Sequence, residues 1–115
     1  MHEMGIAESL VNELVGLLKK NKGARIETVN IELGPLAGID AEALDFAFTF
    51  AAEDTPAKGA KLVLEKLPLM TECLDCGKSA ESKLGDLKCE FCGSGNVKII
   101  KGREMIIKSV ELIEG

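Results

Sequence analysis

Cys73-Leu74-Asp75-Cys76-Gly77 and Cys89-Glu90-Phe91-Cys92-Gly93 contain all four cysteines of the chain, with twelve residues between the pairs. A Cys-x-x-Cys turn brings two sulfurs close enough to share one metal ion, and two such turns complete a tetrahedral thiolate shell. The glycine after each pair supplies the positive φ and the close backbone approach that a turn around a metal needs. The spacing therefore predicts a structural zinc site at Cys73, Cys76, Cys89 and Cys92. Two disulfides are the competing reading, but the chain has no secreted pattern, and few, paired cysteines suit a reducing cytoplasm. Iron in the same cage would make a rubredoxin-like electron carrier.

Working outward, residues 70–100 form a knob with little to bury besides Leu74, Leu84, Leu87, Phe91 and Val97. A unit this small needs a staple, and bound zinc supplies one. Four thiolates around Zn²⁺ carry net negative charge, which backbone N–H groups and Lys78, Lys88 or Lys98 can offset. A closed thiolate shell leaves no position for water, so catalysis at this metal is not expected.

The rest of the chain flanks the knob. Residues 4–22 read as an amphipathic helix, with Ala7, Leu10, Val11, Leu14 and Leu18 at helical spacing. Residues 25–33 alternate as a half-buried strand that Gly34-Pro35 stops. Asp40 sits at an N-cap position before a helix over 41–53. Its stripe is Leu44, Ala47, Phe48 and Ala51. Phe46 and Phe50 widen that stripe, which predicts cover on more than one side. A second strand is expected at 60–67 and a last one at 103–113. The strand–helix–strand unit implies a parallel crossover, and the inserted knob is expected to join the second and last strands like a long hairpin. The fold class is α+β with a mixed three-stranded sheet. The domains are 1–69 with 101–115, and 70–100.

The 115-residue chain carries a net charge of −5. An acidic balance argues against nucleic-acid binding, which needs a basic face, and against a membrane surface. No apolar run approaches the ~20 residues that span a bilayer. The N-terminus lacks a signal-peptide pattern. No lone nucleophilic cysteine, His–carboxylate pair or Gly-rich phosphate loop points to an enzyme.

His2 is the single histidine. A frayed terminus is one reading. The other is chelation: the Met1 amine, the amide between Met1 and His2, and the His2 imidazole form fused rings around one ion. Nickel and copper accept such nitrogen sets in square-planar geometry. Glu3 adds a carboxylate, and its amide is a possible fourth nitrogen. Acid should weaken this binding, because imidazole must be neutral to ligate.

Met1-His2-Glu3-Met4, Glu32-Leu33-Gly34-Pro35-Leu36, the paired Cys-x-x-Cys-Gly motifs and Ser109-Val110-Glu111 together resemble the HypA/HybF family. These are nickel metallochaperones of [NiFe]-hydrogenase maturation. The resemblance runs from residue 1 to about 113. It implies a nickel domain of two helices packed on a three-stranded sheet, with an inserted zinc-ribbon-like domain. It implies nickel at Met1 and His2, with Glu3 at or near the site and Asp40 standing behind the ligands. Delivery would occur with the GTPase HypB to the hydrogenase large subunit, and some members serve urease. Certain relatives carry histidines beside the zinc cysteines. Here Gly77 and Gly93 stand there, which counts against a histidine switch. The alternatives left by the residues alone are a zinc-ribbon module contacting nucleic acid or protein, and the rubredoxin-like carrier.

Overall fold

The computed structural model describes residues 2–114, with only the backbone of His2. Met1 and the His2 side chain lie outside the described residues. The chain divides into two compact units. The first takes in Met1–Ile31, Ile39–Leu64 and Ile107–Gly115; the second takes in Glu32–Gly38 and Glu65–Ile106. The cysteine-bearing unit thus extends beyond 70–100 at both ends, and it also claims the Gly34-Pro35 turn.

In the first unit, helix α1 spans His2–Lys20 and helix α2 spans Ala41–Ala52. The expected stripe of α1 is the buried one: Ala7, Leu10, Val11, Leu14 and Leu18. α1 stops two residues before the sequence pattern suggests. Asn21 donates from Nδ2 to the Leu17 carbonyl at 2.9 Å and from its N–H to Leu18 at 3.1 Å. Gly23, at φ 86°, then turns the chain into strand β1.

Asp40 caps α2 as expected. Its Oδ1 accepts the Ala43 N–H at 3.1 Å from an extended backbone. Leu44, Ala47, Phe48 and Ala52 are buried along α2. Phe46 and Phe50 depart from expectation, being 77% and 70% exposed. Only one face of α2 is covered among the described residues, because Phe46 and Phe50 lie away from the Leu44–Phe48 stripe that packs inward.

Strands β1 (Ala24–Leu33), β2 (Lys61–Lys66) and β6 (Met105–Glu114) form a sheet in the order β2-β1-β6. Ile26, Val29, Ile31 and Leu33 of β1 are buried, the alternation shifting by one between Ile26 and Val29. The Leu67 N–H donates to the Leu33 carbonyl at 2.9 Å. The C-terminal ends of β1 and β2 are therefore side by side, the parallel arrangement of a crossover. Asn30 donates to Ser109 and Glu111, whereas the Gly34 N–H reaches back to the Glu104 carbonyl. β6 therefore runs antiparallel to β1. The expected pairing of the second and last strands does not form. β6 lies beside β1 instead, because the edge of β1 opposite β2 is open to it.

The second unit has its own antiparallel sheet, in the order β4-β3-β5, from β3 (Leu69–Cys73), β4 (Ser79–Ser82) and β5 (Val97–Lys101). Its interior differs from the one read in the sequence. Leu74, Leu84, Leu87 and Phe91 are exposed, and Val97 is half-buried. The buried residues of the knob are instead Leu69, Thr71, Cys73 and Cys89. Thr71 meets its polar need through Ser82, Oγ1 to Oγ at 2.7 Å. Two of the four cysteines are thus core residues, and the apolar interior is even smaller than expected.

Candidate metal centre

β3 delivers Cys73 at its last residue, and the chain turns at once. The two cysteine turns have the same backbone bonding. Cys73 N–H donates to Lys78, and Gly77 N–H returns to Cys73, each at 2.9 Å. Cys89 N–H donates to Ser94 at 2.8 Å, and Gly93 N–H returns to Cys89 at 2.9 Å. Gly77 and Gly93 have φ of 78° and 77°, a left-handed conformation that a side chain would strain. In both turns an amide points at sulfur: Cys76 N–H to Cys73 Sγ and Cys92 N–H to Cys89 Sγ, each 3.4 Å.

These turns bring the four sulfurs within 4.8 Å of one another. Cys73–Cys92 and Cys76–Cys89 are each 3.6 Å apart. A Zn–S bond of about 2.3 Å sets the edge of a thiolate tetrahedron near 3.8 Å. The cluster is therefore close to the size of a zinc–thiolate tetrahedron. All four cysteines are free rather than joined in disulfides. One sulfur of each turn is buried and the other exposed, so the cage sits half in the knob and half at its surface.

Electrostatics divide the four along the same line. The Cys76 N–H, opposed by burial, holds the Cys73 thiol below its ordinary value. The Cys92 N–H, again against burial, lowers Cys89 to about 6. For Cys76 the Lys78 N–H favours ionisation but is outweighed by burial and the neighbouring Cys89 and Cys73, and the thiol is raised. For Cys92 the Ser94 N–H is outweighed by Cys73 and Cys89, and the thiol is pushed up to about 12. Neighbouring thiolates repel, so the buried pair, with amides aimed at it, ionises first. A divalent cation in the cage removes that conflict.

A second set of contacts ties the turns together. The Asp75 carboxylate accepts from Ser94 Oγ and, at 3.3 Å, from Asn96 Nδ2. Leu74 N–H donates to Asn96 at 2.9 Å. These bonds hold Asp75 below the usual carboxylate range, Ser94 contributing most. The sequence reading missed this tie. Ser94 and Asn96, two and four residues after Cys92, were its only signal. Of the expected lysines, Lys78 places its ammonium over the Phe91 ring, 4.8 Å from the centroid.

The other candidate residues lie in the first unit. α1 begins at His2, so the His2 and Glu3 amides belong to the first turn, which has no intrahelical acceptor. Glu3 Oε2 accepts the Asp40 N–H at 3.2 Å. Asp40 thus touches Glu3 through its backbone while its side chain caps α2.

A family model described as "Hydrogenase/urease nickel incorporation, metallochaperone, hypA" matches residues 1–112. Relatives named "Hydrogenase maturation factor HypA" include one from Desulfosudis oleivorans, 39% identical over 99% of this chain and 100% of its own length. One from Aquifex aeolicus is 36% identical over 97% of each chain. A structure described as "Solution structure of HypA protein" is similar at TM-score 0.76 and 31% identity, covering 100% of this chain and 98% of that one. A second, of the Ni metallochaperone HypA from Helicobacter pylori, is similar at TM-score 0.66 and 30% identity, covering 98% of each.

Proposed function

The chain belongs to the HypA family of hydrogenase-maturation metallochaperones, and from that membership we propose that it carries Ni²⁺ at its N-terminus and hands it to a [NiFe]-hydrogenase large subunit. The Met1 amine and the amide and imidazole of His2 bind the ion, with Glu3 beside them. The unit that contains α1 and α2 carries the nickel, and the cysteine-bearing unit carries the zinc. A HypB-type GTPase and, in some settings, urease maturation proteins are the partners. The cytoplasm is the compartment, since four free thiols keep a metal cage only where disulfides do not form.

One observation carries this reading: α1 starts at His2 with Glu3 held by Asp40. A helix that starts there leaves its first amides without internal acceptors, and an amide nitrogen already bonded inside a helix could not ligate. The Glu3–Asp40 contact fixes a carboxylate within two residues of Met1.

The two metal sites divide the labour by chemistry. When zinc is bound, Cys73, Cys76, Cys89 and Cys92 fill its coordination and leave no place for exchange with solvent. The residues of the second unit hold the turns in register, exclude water from Cys73 and Cys89, and give no route for catalysis. Nitrogen ligands at a chain end do not close a thiolate shell around their ion and can release it to a better site. Nickel is therefore cargo and zinc a staple. Elemental analysis distinguishes zinc from iron in the cage.

The test is nickel titration of the wild type, His2→Ala and a chain extended ahead of Met1. The expected result is one Ni²⁺ per wild-type chain and loss in both variants, because extension converts the amine into an amide. Undiminished affinity in the extended chain would refute the assignment. Square-planar ligation through an amide should also leave the nickel diamagnetic.

A further inference from the structure

A groove of about 670 Å³ runs between α1 and α2 in the first unit. Met4 and Val11 of α1 and Phe46 and Phe50 of α2 line it. Phe46 and Phe50 are the two most exposed large apolar residues described, at 77% and 70%. They stand one helical turn apart, so they form a ridge on one face of α2. Two phenylalanines on one exposed ridge are a poor solution for a surface that meets only water.

Charge decides what covers them. The groove is edged by Glu8, Glu53 and Asp54, and none of its lining residues is basic. Lys58, outside the groove, pairs with Glu53 at 3.2 Å. Glu8 of α1 and Asp54, just after α2, remain. α2 contributes Glu42 and Asp45 and contains no lysine or arginine. A second copy of this chain meeting the groove about a twofold axis would set like carboxylates against each other. Anionic lipid and nucleic acid would be repelled in the same way.

We propose that the α1–α2 groove is a docking site for a basic amphipathic helix of a protein partner. Its apolar residues, at i, i+3 or i+4, and i+7, seat on Met4, Phe46 and Phe50, with the buried Val11 as the floor. Its lysines or arginines face Glu8 and Asp54. Paired helices present such a groove as a ready site for a third helix. The groove uses none of the proposed metal ligands and is tested without added nickel, so its failure and the failure of the nickel assignment are separate results.

The experiment selects 16-residue peptides from a random display library on the full chain without added nickel. Affinities of the recovered peptides are then measured in solution. Recovered sequences should combine helical apolar spacing with lysine or arginine. Phe46→Ala with Phe50→Ala should weaken them roughly thirtyfold, as for central aromatic anchors. Both residues are exposed, so this variant should melt like the wild type. Glu8→Gln with Asp54→Asn should slow association and flatten its salt dependence, as rim charges do. Recovery of acidic or uncharged peptides, of none, or of peptides indifferent to the phenylalanine pair would overturn the proposal. So would self-association in sedimentation that the phenylalanine pair abolishes.

Discussion

Gly34→Ala should be among the most damaging single-methyl changes available in this chain. A Cβ at Gly34 would lie 2.3 Å from the Gly102 carbonyl oxygen, 2.5 Å from the Gly102 carbonyl carbon and 2.6 Å from Glu104 Oε1. The carboxylate is the far end of a flexible side chain and can swing away. Its Oε1 is already buried without a hydrogen-bond partner among the described residues, so moving it loses no such bond at that atom. The carbonyl cannot swing, because it belongs to a backbone fixed by two bonds to the same turn. Leu36 N–H donates to Gly102 at 2.6 Å, and Gly34 N–H donates to Glu104 at 2.8 Å. Relief of the overlap requires a shift of about 1 Å, which breaks or stretches both. Two buried backbone bonds are worth about 1 kcal/mol each, and overpacking adds about 1–3 kcal/mol. The expected cost is therefore about 4 kcal/mol, a large share of the stability of a small domain.

Urea denaturation with the metal bound measures that cost, and amide exchange in β3 and β5 locates it. Gly16→Ala in α1 is the control. It has nothing within 4 Å of the added methyl, and alanine favours a helix over glycine by about 1 kcal/mol. The control should therefore be neutral or stabilising. A Gly34→Ala protein within about 0.5 kcal/mol of wild type, the ordinary range for a harmless substitution, would refute the argument from close approach.

Phe48→Ala removes a ring that is 1% exposed and should cost about 3–5 kcal/mol in thermal or urea unfolding. Asp40→Ala should cost about 1 kcal/mol through the lost α2 cap, while Asp40→Asn should be nearly neutral in the same assay. The Glu3 contact should survive both changes, since its donor is the Asp40 backbone. Asp75→Ala frees the turn from Ser94 and Asn96, so zinc transfer to a chelator should accelerate by about tenfold, the effect of one charge-assisted bond. Asp75 is held below the ordinary carboxylate range and stays charged at neutral and mildly acidic pH. Any stability it adds is full above that range and is lost only as pH falls through the lowered value. Chelator rates should therefore respond to the substitution equally at about pH 6 and about pH 8. Metal removal should collapse amide protection in β3–β5 while α1 and α2 keep theirs, because the knob buries little besides Leu69, Thr71 and two of the cysteines. Retained protection in a metal-stripped knob would contradict the staple.

Short-range features were legible in the chain itself. The stripe from Ala7 to Leu18, the cap at Asp40 and the glycines after each cysteine pair all depend on neighbours within a few residues. A helix period, a capping bond and a chelate ring are each set by that local spacing. The four-sulfur cluster was legible for the same reason, as two local turns needing only to meet. Phe46 and Phe50 were misread because periodicity records which residues share a face, not whether another element covers it. The interior of the knob was misread because Leu74, Leu84, Leu87 and Phe91 are apolar, yet β3 carries Leu69, Thr71 and Cys73 inward instead, and Cys89 joins them from the second cysteine turn.

The sequence by itself determined the two helices and the three strands outside the knob, the cysteine cage and, through Met1-His2-Glu3 with the paired cysteine motifs, the family; the three strands inside the knob, β3, β4 and β5, it did not show. Only the tertiary structure decided that β6 pairs with β1, that Gly34 lies against Gly102, that Asp75 bridges to Ser94, and that two phenylalanines face water. Each of these joins residues far apart in the chain or depends on what is absent from a face. Such contacts are chosen by the packing of the whole unit: the free edge of β1 takes the returning strand, and space at the crossing admits no side chain.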